Sequence, residues 1–117
     1  MEVERAIAFV REREPTGLEI QVNFGVFAGR DATTAELEEL GKLLVPEAGE
    51  VSVVGEERHD LANGVEVVLH QVRVAIPPDN VPGDRTEREV FCERLVTLAE
   101  IWTRQCASER HAEITDI

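Results

Sequence analysis

Apolar and polar residues alternate through residues 18–27. Leu18, Ile20, Val22, Phe24 and Val26 take one parity, and Glu19, Gln21, Asn23 and Gly25 take the other. Successive side chains of a strand point to opposite faces, so the pattern predicts a half-buried β-strand with one face on a core. Two further strands are predicted over EVSVVGEERH (50–59) and VEVVLHQVRVAI (65–76), on either side of Ala62-Asn63-Gly64. Asn-Gly is the strongest short hairpin signal, because both turn residues must reach positive φ. Pro77 and Pro78 end the second strand, since proline donates nothing to a ladder. Residues 2–13 fit two patterns. Val3, Ala6, Ile7 and Val10 could share a helical face, while AIAFV followed by Pro15-Thr16-Gly17 fits a strand entering a tight turn. The strand is preferred, because the segment after the turn is a strong one.

Helical spacing appears twice. In TTAELEELGKLL (33–44), Leu37, Leu40 and Leu44 stack on one face, and Thr33 with Glu36 spells a capping box. Val45-Pro46 is expected to stop this helix, because the residue before proline avoids helical dihedrals. A longer helix is predicted from about Asp84 to about Arg110, with Phe91, Leu95, Leu98 and Trp102 on its central stripe and Cys92, Ala99 and Cys106 on one flank. The order ββαββα predicts an α+β fold: a four-stranded, mainly antiparallel sheet with two helices on one face. No linker or compositional break divides the chain, so residues 1–117 are expected to form a single compact domain.

The hairpin acquires chemistry when its faces are separated. With a two-residue loop, one face carries Val51, Val53, Gly55, Glu57, His59 and Leu61, and across from them Glu66, Val68, His70, Val72, Val74 and Ile76. Its apolar half must pack under the helices. Toward the turn it becomes Glu57, His59 and His70, with Glu57 directly opposite His70. Two histidines and a carboxylate can bind Zn²⁺ or Fe²⁺, or act in proton transfer. The spacing selects none of these, since neither HExxH nor CxxC occurs, and such groups equally mark where a protruding hairpin meets solvent. Neither a metal nor a cofactor is therefore expected. The opposite face holds Val65, Val67 and Leu69, with Val54 on the partner strand and Phe27 on the polar parity of the earlier strand. Apolar residues gathered on an exposed face ask for cover, so these five are the expected interface.

Composition narrows the partners. The formal charge is −12 and the pI about 4.6, with Lys42 the only lysine. Nucleic-acid phosphates and anionic lipid surfaces would be repelled, so neither is an expected partner. Cys92 and Cys106 lie 14 positions apart in one predicted helix. That is about 21 Å along its axis, too far for a disulfide. Reduced thiols, and an acidic start unlike a signal peptide, lead to an expected cytoplasmic location. The function expected is a small acidic interaction or regulatory module without catalysis, homodimeric through its apolar sheet face or bound to another protein. The alternative is a small enzyme or a ligand- or metal-binding domain. Its pocket would lie between the 51–76 hairpin and the C-terminal helix, with Glu57, His59 and His70 as its polar groups.

Overall fold

Five strands pair antiparallel in the computed structural model, which describes residues 3–4, 7–12 and 17–115. They are β1 (Val3–Glu4), β2 (Ala8–Glu12), β3 (Leu18–Val22), β4 (Ser52–Ala62) and β5 (Val65–Ile76), in the sheet order β1-β2-β3-β5-β4. Three helices complete the α+β fold: α1 (Phe24–Ala28), α2 (Thr34–Ala48) and α3 (Arg85–Thr115). The four expected strands are present, and the two-residue β1 extends the sheet beyond β2. The first ambiguous segment is therefore strand at Ala8–Glu12. The turn expected at Pro15-Thr16 lies outside the described residues.

The central ribbon follows the predicted register. Asn63 and Gly64 take φ of 53° and 74°, the turn pairs Ala62 with Val65, and Glu57 faces His70. Val72, Val74 and Ile76 on β5 join Leu18, Ile20 and Val22 on β3 and Ala8 and Val10 on β2 in the buried core. Helix α2 lies over β4, where Gly41 and Gly55 let it approach: a Cβ on Gly55 would sit 3.5 Å from Leu37. Helix α3 covers β2 and β3. The ladder β4–β5 then runs past the helices, and from Glu57 to Val68 every residue is exposed.

Two boundaries and one helix face differ from the sequence reading, each for a physical reason. The second strand ends at Val22 rather than continuing to Phe27. Asn23 donates to the Ile7 carbonyl at 2.9 Å, then turns the chain into α1. Phe24 and Ala28 are buried one helical turn apart, while Val26 is 65% exposed, so helical spacing replaces alternation here. Phe24 stays on the core side in either conformation, and this is why the pattern concealed the change. Its ring packs against Trp102 with centroids 5.1 Å apart.

Helix α2 passes through Pro46 to Ala48. Proline removes one N–H from the helical ladder. The burial of Leu44 and Ala48 on one face offsets that loss, and the Gly49 N–H closes the last turn on the Val45 carbonyl. Helix α3 presents Cys92, Leu95, Val96, Ala99, Trp102, Thr103 and Cys106 to the core, with Phe91 and Leu98 at its margin. Its stripe is thus rotated toward the cysteine flank, because the helix must lie against both the sheet and α1.

Candidate functional site

Asp31 stands on the loop between α1 and α2, and the geometry of that loop is set by its neighbour. Arg30 makes two hydrogen bonds to the Glu36 carboxylate, at 2.6 and 2.7 Å, and lies over the Phe24 ring. Glu36 also closes the predicted capping box, accepting from the Thr33 N–H while its own N–H donates to Thr33 Oγ1. The Arg30 hydrogen bonds lead the causes that lower the Glu36 carboxyl to about 2. This knot joins both ends of the 29–33 loop and aims Asp31 toward the ribbon.

His70 is positioned from the other side. Gly25 lies against it so closely that an added Cβ would meet His70 Cβ at 2.9 Å and the His70 carbonyl oxygen at 3.0 Å. A Gly25→Ala substitution gains about 1 kcal/mol of helix propensity. Overpacking against rigid atoms costs about 1–3 kcal/mol, so steric conflict wins. The expected result is a net loss of about 1 kcal/mol in chemical denaturation, with the His70 ring resonances shifted in NMR spectra. A stabilised protein with unchanged His70 signals would refute the close approach.

Glu57, His59 and His70 do come together on the helix-side face. Nδ1 of His70 contacts the Asp31 carboxylate and lies 3.9 Å from Glu57 Oε1. Nε2 of His59 lies 3.6 Å from the other Glu57 oxygen, and its Nδ1 meets Glu66. The result is an unbroken carboxylate–imidazole chain, Asp31–His70–Glu57–His59–Glu66. It borders a cleft of about 310 Å³ whose apolar wall includes Phe24, Ala32 and Leu37. The cleft lies between the ribbon and the α1–α2 corner, and α3 supplies none of its lining. This cleft is therefore not the one expected between the hairpin and the C-terminal helix. Asp31 was not among the expected site residues, and its position at a strand-to-helix corner was its sole sequence signal.

On the reverse of the ribbon, Val54, Val65 and Val67 are 42%, 61% and 48% exposed, and Leu69 is half-buried beside them. Phe27 does not join them. It is 41% exposed on α1, because the strand that would have carried it ends five residues earlier. Cys92 is fully buried, and burial pushes its thiol up to about 11, so it is unsuited to nucleophilic chemistry. No helix is long and apolar enough to cross a membrane among the described residues. In comparisons with known proteins, no family model, no curated protein and no solved structure matches the chain.

Proposed function

We propose that the protein is a small acidic interaction module of the cytoplasm that works as a homodimer, two copies meeting through the outer face of the sheet, and that its role is binding rather than catalysis. The observation that carries this reading is the composition of that face. Helices α2 and α3 occupy the opposite side, and no described helix packs on this one. Its larger apolar residues are Val54, Val65, Val67 and Leu69 on the ribbon and Phe9 on β2. Its charged residues in β2–β5 are Arg11, Arg58 and Arg73 against Glu19, Glu56 and Asp60, which cancel. The chain as a whole carries −12. A second identical copy is repelled by most of the surface but not by this region, and a strongly basic partner would find no reason to choose it.

The edge of the sheet is a poorer route to self-association. Strand β4 is a free edge, but Glu56, Glu57, Arg58, His59 and Asp60 run consecutively along it. Charged side chains on an edge discourage strand addition. The ribbon measures about 37 Å in length, and with β2 and β3 the face offers roughly 500 Å² of flat area before side-chain relief. That is below the ~800 Å² each partner gives up in a standard interface and matches the size of weak or transient contacts.

Light scattering at about 50 μM should return the dimer mass for the wild-type chain. The double variant Val65→Asp, Val67→Asp should return the monomer mass with an unaltered circular-dichroism spectrum, since both positions are exposed in the single chain, and its melting temperature should fall only by what dimerisation had added. A wild-type monomer at that concentration ends the proposal. A dimer that survives the double variant moves the contact elsewhere and also refutes it.

A further inference from the structure

The geometry points to a binding site for a divalent transition-metal ion of the zinc type, held by Asp31, Glu57 and His70. One donor atom from each lies within 4.8 Å of the other two. Donors around an ion at about 2.1 Å sit roughly 3–4 Å apart, so a small rotamer adjustment of the carboxylates closes the set. One imidazole nitrogen with two carboxylate oxygens suits zinc, iron(II) or manganese, and leaves positions for water or a ligand. The three side chains are partly exposed, His70 at 32%, Glu57 at 56% and Asp31 at 65%, so water can complete the shell.

Two independent observations separate this group from a solvated charge cluster. Nδ1 of His70 is shut off from solvent and has no hydrogen bond of acceptable geometry, although it touches the Asp31 carboxylate. That nitrogen is pressed against one carboxylate and lies 3.9 Å from a second, where a single cation can join all three groups. In addition, no lysine or arginine pairs with Asp31 or Glu57 among the described residues. Nearby Arg30 is engaged by Glu36, and Arg58 turns to Asp60 on the outer face. A divalent ion among the three groups would neutralise both carboxylates. His59 contacts the second Glu57 oxygen, and Glu66 holds His59 in turn, so the pair acts as a positioning group for the Glu57 ligand. The adjoining cleft, with Phe24 and Leu37 in its wall, gives a small molecule access to the ion's open positions.

The site lies on the helix side of the sheet and does not depend on the proposed dimer. Titration calorimetry with zinc chloride tests it. One ion per chain is expected for the wild type, with affinity falling at least tenfold in Asp31→Asn and in His70→Ala. His70→Ala keeps the Cβ and backbone that Gly25 packs on, so its fold should persist, and circular dichroism checks this. His59→Ala should weaken binding only a few-fold, and cobalt(II) should give visible d–d bands that His70→Ala abolishes. Absent binding, equal affinity in wild type and His70→Ala, or magnesium binding as tightly as zinc would each overturn the assignment.

Discussion

Trp102→Ala should lower the unfolding free energy by about 4 kcal/mol, the largest effect expected of any single substitution in α3. Trp102 is 2% exposed, and its ring meets Phe24, which is fully buried. Its indole N–H donates to the Glu36 carbonyl at 2.9 Å. Truncation opens a large cavity and strips a hydrogen bond from a backbone acceptor in the first turn of α2, so the cost falls in the range of about 3–5 kcal/mol for a buried aromatic. A domain of this size has a total stability of roughly 6–18 kcal/mol, and the melting temperature should drop by about 15 °C. Trp102→Phe keeps most of the packing and removes the donor, so about 1–2 kcal/mol is expected. Trp102 is the one tryptophan, so urea unfolding must be followed by circular dichroism rather than intrinsic fluorescence. A loss under about 1 kcal/mol for the alanine variant would show that α1 and α3 are not joined through this contact.

Glu36→Gln should cost about 3 kcal/mol at neutral pH, and the deficit should vanish in acid. The Arg30 hydrogen bonds, with those from Thr33, bring the Glu36 carboxyl from 4.5 to about 2 against the opposing effect of burial. A folded-state value below the unfolded one means that the unfolded chain binds the proton more tightly. The stabilisation is complete above about 4.5, declines as pH falls, and is gone below about 2. At about 1.4 kcal/mol per unit the shift amounts to roughly 3 kcal/mol, and the side chain is only 11% exposed, so solvent screening takes little from it. Acid also relieves the self-repulsion of a chain at −12, so wild-type stability alone is ambiguous. The informative measurement is the difference between wild type and Glu36→Gln in urea midpoints across pH 2 to 7. A difference that stays constant with pH would mean that the carboxylate is not responsible.

Most of the scaffold was legible because one-dimensional patterns report directly on backbone geometry. Asn63-Gly64 demanded positive φ, and this placed Glu57 across from His70 without any knowledge of the rest of the fold. Thr33 and Glu36 announced the start of α2 through local hydrogen bonds alone. Phe24 through Ala28 was not legible, since a buried Phe24 satisfies both a period of two and a helical turn. Choosing between them required the room under Trp102 and the close seat of Gly25 on His70. Pro46 was misleading for a related reason: the local rule weighed one lost bond, and the contacts of Leu44 and Ala48 with the core outweighed it.

By itself, then, the amino-acid order determined the alternation of β5, the hairpin register, the cap of α2, the acidity, and the grouping of Glu57, His59 and His70 on one face. All of these depend on neighbours a few residues apart or across one tight turn. Tertiary structure alone decided that Asp31 would complete the cluster from a corner far along the chain. It also decided that Phe27 would leave the sheet, that the cleft would open beside α1 and α2, and that α3 would turn its cysteine flank inward. These outcomes follow from packing, in which helices settle where volume and close approach allow, and no periodicity within a single segment carries that information.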